Sequence, residues 1–264
     1  MASSASGYAA LLFGLCQLFN IDNSAKISAL ARLGSGSACR SLYGGFVQWT
    51  AGISHETSTA TQILDELSWP EVRILILVTS SDKKDTPSTS GMQNSVKTST
   101  LITHRVENVL PKRVQQMIAA IREQNFEVFA RLTMQDSNQF HAICQDSYPP
   151  IRYMNDVSWS IVKFVHFFNQ SLGKTSIAYT FDAGPNACLY CLSEVVPEIL
   201  SALEQLYPPN NQSSLEIKGI VPQQKGVINS ELEQFIEQNR SPGGLKYVIS
   251  TKIGTGPQIV VKSD

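Results

Sequence analysis

The chain has 264 residues, 42% of them hydrophobic and 16% charged, with a formal net charge of −1. That is globular material with room for a sizeable core and for two lobes. A near-neutral balance gives no reason to expect nucleic acid or an anionic membrane surface as a partner, so any anion must be held locally.

Residues 3–20 read as a helix, with Ser3 or Ser4 as its N-cap. Its centre, "YAALLFGLCQLF" (Tyr8 to Phe19), has the length of a signal-peptide core, but no Lys or Arg stands before Lys26 and no small-residue cleavage site follows. A soluble helix is expected instead, with Leu12, Leu15, Leu18 and Phe19 along one face. A second helix runs from Ser24 to about Leu33 and stops at Gly34. "GSGSACRSLYGGF", Gly34 to Phe46, comes next, and "GGFVQWT" is a strand. Residues 51–68 are polar and irregular, a connection. "VRILILVTSS", Val72 to Ser81, is nearly continuous in apolar residues and is expected to be a buried strand.

The polar loop "DKKDTPSTSGMQNS" enters a helix near Ser88. Helical patterns cover about 101–123, 125–145 and 154–171. "TSIAYTFDAGPNACLYCL" is a pair of short strands hinged at "DAGPN". A helix at 194–206, a strand at 215–220, a helix at 230–239 and strands at 246–253 and 257–261 complete the chain. This order predicts an α/β (α+β) sandwich, not a regular barrel.

Several stretches carry candidate chemistry. In Gly34–Phe46, glycines permit a plain turn; equally, the small residues Ser35, Gly36, Ser37, Ala38 and Cys39 let backbone N–H groups approach an anion, with the planar fork of Arg40 matched to a carboxylate or phosphate. In "YTFDAGPNA", Asp182 leaves a strand into a tight Gly-Pro turn, either as a turn former or as a rigidly placed catalytic carboxylate. Lys83, Lys84, Ser88 and Thr89 form a solvated loop or a phosphate-contacting one. Asp136, Asn138 and His141 share one helix, as a buried polar network or as catalytic groups. The serine-rich start at Ser3, Ser4 and Ser6 is a cap or a phosphate-facing helix N-terminus.

Five cysteines (Cys16, Cys39, Cys144, Cys188 and Cys191) are scattered and odd in number, as reduced thiols of an intracellular protein would be. The C-x-x-C of "CLYC" lies in a strand, where residues three apart point to opposite faces, so packing explains it better than metal or redox work. No metal-ligand spacing is present.

"GSGSACRSLYGGFVQW", "KKDTPSTSGM", "TMQDSNQFHA", "AYTFDAGPNA" and "GGLKYVISTKIGTGPQI" together resemble the mevalonate diphosphate decarboxylases, of the superfamily of galacto-, homoserine, mevalonate and phosphomevalonate kinases. The resemblance runs from Ala2 to about Val260 in unbroken order. It implies a two-lobed α/β fold with an incomplete N-terminal lobe at 1–68 and a C-terminal lobe at 69–264. The activity it implies is ATP-dependent decarboxylation of mevalonate 5-diphosphate to isopentenyl diphosphate in the mevalonate pathway. ATP and Mg²⁺ are the implied cofactors, and a cytoplasmic homodimer the implied state. By the same resemblance, Asp182 is the catalytic carboxylate and Arg40 grips the substrate carboxylate. Ser35, Gly36, Ser37, Ala38 and Cys39 line the substrate, Ser88 and Thr89 contact its diphosphate, and Ser3 and Ser4 close the ATP phosphate loop.

Family members carry on the order of a hundred residues ahead of this point, about a domain's worth. The strand Val72–Thr79 and the apolar face of Tyr8–Phe19 are therefore expected to lack packing partners. Two other functions stand beside the decarboxylase. A related small-molecule kinase would have a glycine-rich turn in place of "FDAGPNA", and a non-catalytic product of the same gene would show no ATP-dependent CO₂ release.

Overall fold

The computed structural model describes residues 3–21, 24–79, 85–210 and 214–260, with the side chains of Ser3, Ser24 and Ala25 outside that description. Lys83 and Lys84 also lie outside the described residues. The chain divides into two units, Met1–Pro70 with Ile253–Asp264, and Glu71–Lys252.

The first unit holds helices α1 (Ser3–Leu18) and α2 (Ser24–Gly34), a 3₁₀ turn at Gly36–Cys39, and strands β1 (Phe46–Trp49) and β2 (Ala60–Leu64). The buried stripe of α1 is Ala5, Ala9 and Cys16, spaced for one helical face, while Leu15, Leu18 and Phe19 are exposed. This reverses the face expected from the large apolar residues. Small side chains win because they allow close approach: Ala5, Ala31 and Ala38 form one buried cluster with Leu12 and Leu42 against it. Gly34 belongs to the same packing, since a Cβ there would run into the ring of Tyr8.

β1 and β2 pair antiparallel, with a register shift between Phe46 and Val47. β2 lies inside the stretch expected to be irregular. Only five residues long and half polar, it takes its strand geometry from its partner β1, not from its own pattern. Gly45, at φ +74°, donates its N–H to Gly254 O at 2.9 Å, and a Cβ there would strike Leu64 O. The tail thus returns to this unit, and its described residues 253–260 contain no strand, contrary to the pairing expected at 257–261. Two glycines and Pro257 deny that segment a regular ladder.

The second unit is built on strands β3 (Val72–Val78), β4 (Ile177–Phe181), β5 (Ala187–Leu192), β6 (Glu216–Gly219) and β7 (Tyr247–Lys252), in the order β4-β5-β3-β7-β6. All neighbours are antiparallel except β6 and β7. β3 is central, with β5 on one edge and β7 on the other; Val72, Leu75 and Leu77 are fully buried. The expectation that this strand lacks partners is therefore corrected: its near-continuous apolar run reflects cover on both faces and pairing on both edges. The apolar face of α1, by contrast, stays open, with Leu18 72% exposed.

Helices α3 (Ser88–Thr98), α4 (Thr100–His104), α5 (Leu110–Arg122), α6 (Phe126–Asp146), α7 (Asp156–Ser171), α8 (Val196–Leu206) and α9 (Ser230–Asn239) complete this unit. The single helix expected at 101–123 is α4 and α5 joined by a π-helical turn, Arg105–Val109. Pro111, at the start of α5, has no N–H for the preceding turn, and the ladder widens there. α6 is capped by Asn125, which accepts from Val128 N at 3.2 Å, and α7 by a reciprocal Asn155–Ser158 capping box.

Candidate functional site

Arg40 follows the 3₁₀ turn at the end of the small-residue packing. Ala38 and Cys39 are fully buried and anchor the turn, and Ser28 Oγ donates to Cys39 O at 2.9 Å. The Cys39 thiol points back to Gly36 O at 3.1 Å, and burial pushes its pKa up against the pull of Arg40's charge. Arg40 lies 5.8 Å from the Trp49 ring centroid, and no carboxylate among the described residues pairs with it. Gly36 gives the ring its place, since a Cβ there would sit 3.0 Å from Trp49 Cη2. Trp49 was not marked by sequence reasoning; an aromatic nine residues beyond a lone arginine was the available signal.

Ser4 Oγ lies 3.3 Å from Ser35 Oγ. Two serines thirty-one residues apart are thus brought together where the N-terminus of α1 meets the turn leading to Arg40. The first turn of α1 carries no acidic residue, so the positive end of its dipole favours an anion, and the Ser4 hydroxyl beside it is exposed. Ser3 opens this helix, but its side chain lies outside the described ones.

Asp182 stands in the second unit, one residue past β4. It is exposed, and among the described residues no cation pairs with it. Its carboxylate accepts from Ala183 N at 2.7 Å, and its carbonyl accepts from Gly184 N at 2.7 Å. The turn beyond is tied at two points. Ser158 Oγ donates to Pro185 O at 2.9 Å, and Asn186 Oδ1 accepts from Thr79 N at 2.9 Å. In the sequence Asn186 reads as a turn residue, and its position at the restart of a strand is the signal a local pattern offers.

The acidic helix motif resolves into a polar network. Asp136 is gripped by Arg105 at 2.8 Å and Arg113 at 3.0 Å, and Asn138 accepts from Tyr179 Oη at 3.0 Å. Burial opposes the Asp136 charge, but its bonds to the two arginines outweigh that and hold its pKa below the usual carboxylate range. His141 is buried, with Nε2 3.3 Å from Phe181 O. Burial lowers the His141 pKa more than Phe181's carbonyl and Asp182's charge raise it.

Ser88 and Thr89 start α3. Pro87 occupies its N-cap with no side-chain cap, and no acidic residue lies in the first turn. Ser88 is half-buried and Thr89 exposed. Gly91 packs on Tyr153, whose hydroxyl a Cβ would strike. Cys188 and Cys191 sit on opposite faces of β5, and burial pushes Cys191 up to about 12. Among the described residues, no group of three His, Cys, Asp or Glu could hold a metal, and no helix is long and apolar enough to cross a membrane.

A family model described as "Mevalonate 5-diphosphate decarboxylase C-terminal domain" matches residues 74–260, and a "Diphosphomevalonate decarboxylase-like N-terminal domain" matches residues 1–60. The chain is 49% identical to a diphosphomevalonate decarboxylase of Danio rerio over 98% of its own length and 65% of the relative's. It therefore spans just under two thirds of the curated relatives it matches. A crystal structure of mevalonate 5-diphosphate decarboxylase superposes with a TM-score of 0.83 at 41% identity, covering 99% of this chain and 68% of that one. A second structure, "MDDEF in complex with MVAPP, AMPPCP and Magnesium", gives 0.72 at 27% identity, covering 97% and 67%.

Proposed function

From the premise that this chain belongs to the mevalonate 5-diphosphate decarboxylase family, we propose that it supplies the chemistry of ATP-dependent decarboxylation of mevalonate 5-diphosphate. The products are isopentenyl diphosphate, ADP, phosphate and CO₂. The observation that carries the reading is Asp182, an exposed carboxylate without a cationic partner among the described residues, standing at a strand end with the turn beyond it tied by hydrogen bonds at Pro185 and Asn186. A turn former needs no such reinforcement, whereas a general base depends on it.

Asp182 orients the 3-hydroxyl and takes its proton as the oxygen is phosphorylated. Arg40 holds the substrate carboxylate through two parallel N–H bonds, in the loop Ser35, Gly36, Ser37, Ala38 and Cys39. When the C3–O bond then breaks and phosphate leaves, the electrons of the carboxylate C–C bond form the new double bond and CO₂ departs. Ser88 and Thr89, with the uncapped N–H groups of α3, face the 5-diphosphate.

AMPPCP is a non-hydrolysable ATP analogue, and a relative binds it with magnesium. The N-terminus of α1 fits that role here, having no acid in its first turn and an exposed Ser4 beside Ser35. Ser3, Ser4 and the first N–H groups of α1 would hold the nucleotide phosphates, which in turn carry the Mg²⁺. Bound there, Mg-ATP supplies the phosphoryl group that makes the tertiary hydroxyl a leaving group. On this reading residues 1–68 belong to the nucleotide and substrate lobe, with the tail from Ile253 returning to it, and residues 69–252 belong to the C-terminal lobe, in a cytoplasmic homodimer.

The test is release of labelled CO₂ from carboxyl-labelled mevalonate 5-diphosphate, in a form of this sequence extended to its relatives' length. One ADP per CO₂, both dependent on ATP, is expected. ADP formation without CO₂ would mark a kinase and overturn the proposal.

A further inference from the structure

Among the described residues β4 is an outermost strand of its sheet, paired with β5 along one edge only. An edge strand leaves a row of N–H and C=O groups unpaired, and when these are buried each needs another partner. Here side chains stand in for a missing strand at both ends. At the start of β4, Asn169 of α7 takes both peptide groups of Ile177. Its Oδ1 accepts from the N–H at 3.0 Å and its Nδ2 donates to the carbonyl at 2.9 Å.

At the other end, two side chains of α6 divide the same task. Ser137 Oγ accepts from Phe181 N at 3.0 Å, and His141 Nε2 lies 3.3 Å from Phe181 O. The two are four residues apart and so share one helix face. A carbonyl only accepts, so His141 Nε2 carries the proton. Both residues are buried, and the imidazole is wedged edge-on between the rings of Phe140 and Phe181, with centroids 4.9 and 6.2 Å away. α6 is itself anchored at Asp136, the neighbour of Ser137, by Arg105 and Arg113.

Phe181 immediately precedes Asp182. Fixing both peptide groups of Phe181 fixes where the Asp182 Cα lies, while the ties at Pro185 and Asn186 fix the chain beyond it. We infer that Ser137 and His141 are positioning residues, which set the reach of the Asp182 carboxylate by gripping the backbone of Phe181 from α6. The inference rests on the proposed role of Asp182. A general base must lie within hydrogen-bond reach of its proton, and a displacement of about 1 Å is enough to cost on the order of a hundredfold in rate.

The experiment uses the extended form with ATP and mevalonate 5-diphosphate, and compares Ser137→Ala, His141→Phe and His141→Gln. His141→Phe keeps the ring packing and removes the donor; His141→Gln restores an N–H donor without the ring. The expected result is a fall in kcat of roughly tenfold to a hundredfold for Ser137→Ala and His141→Phe, with KM for mevalonate 5-diphosphate nearly unchanged. His141→Gln should recover most of that loss, and amide exchange at Phe181 should speed up in Ser137→Ala.

A merely structural role would lower the melting temperature and leave kcat per folded molecule alone. Retention of kcat in both grip variants, or a His141→Phe loss that His141→Gln does not recover, overturns the inference. If His141→Phe does not fold, Ser137→Ala, which deletes a single oxygen, decides the matter. Asp182→Asn run alongside separates the two levels. Full activity there sinks the role of Asp182 itself, whereas its collapse beside unaffected grip variants sinks only the positioning.

Discussion

The surroundings of Arg40 and of Asp182 are built by different means. Around Arg40 the backbone is placed by packing of small side chains, Ala5, Ala31 and Ala38, and the guanidinium rests beside the face of Trp49 with no carboxylate partner among the described residues. Around Asp182 the chain is placed by directed hydrogen bonds: Phe181 is held by Ser137 and His141, Pro185 by Ser158, and the Asn186 side chain by Thr79. Packing is non-directional and leaves a long side chain free to adapt to a ligand. Hydrogen bonds from buried groups fix a position within narrow limits of distance and angle. On the proposed function, the difference suits an arginine that would capture substrate and a carboxylate that would have to be in place when chemistry begins.

The largest effect expected is at the fixed position. Asp182→Asn keeps the size and turn preference but cannot take a proton. Steady-state CO₂ release should fall by about a hundredfold to ten-thousandfold with the melting temperature unchanged. A loss confined to a few-fold would return Asp182 to the status of a turn residue. At the adaptable position the loss should be smaller. Arg40→Lys keeps the charge and gives up the two-pronged geometry, about one charge-assisted bond, so kcat/KM should drop by roughly tenfold to a hundredfold, read by titrating mevalonate 5-diphosphate. Equal rates would show that only a point charge is needed there.

Two smaller effects probe the hydrogen-bonded side. Asn186→Ala leaves the buried Thr79 N–H without its acceptor and should cost about 1–3 kcal/mol in denaturant unfolding. An unchanged midpoint would mean that the turn holds itself. Asp136, whose folded pKa is depressed, contributes stability that is present above its unfolded value and lost as pH falls through its folded value. The stability gap between the parent and Asp136→Asn should therefore shrink as pH drops below about 4. A gap independent of pH would show that the two arginines do not favour the ionised form.

Much of the second unit was legible because its patterns are long. The apolar run of β3, the helices α6 and α7, and the strand pair hinged at Asp182 all carry enough periodicity or β-rich sequence to be read without their neighbours. The first unit was read less well. β2 is a short, half-polar strand that exists by virtue of its partner, and the inner face of α1 is its alanine face, which hydropathy ranks below its leucines. Gly34, Ser35 and Arg40 stood out as residue types. That Ser4 and Ser35 meet, and that Trp49 lies beside Arg40, are facts of tertiary packing that no local pattern encodes. For the same reason His141 could be marked as polar and helical, but not as a hand on Phe181.

A single turnover by Asp182→Asn in the extended form tests most directly the claim that Asp182 acts on the substrate hydroxyl. The variant is mixed in excess with ATP and carboxyl-labelled mevalonate 5-diphosphate, then quenched over time and assayed for ADP, 3-phosphorylated substrate and CO₂. The account predicts bound substrate with all three products suppressed together, because the step that fails is transfer of phosphate to the hydroxyl. A burst of ADP and phosphorylated substrate at the parent's rate would contradict it, and would remove Asp182 from that step.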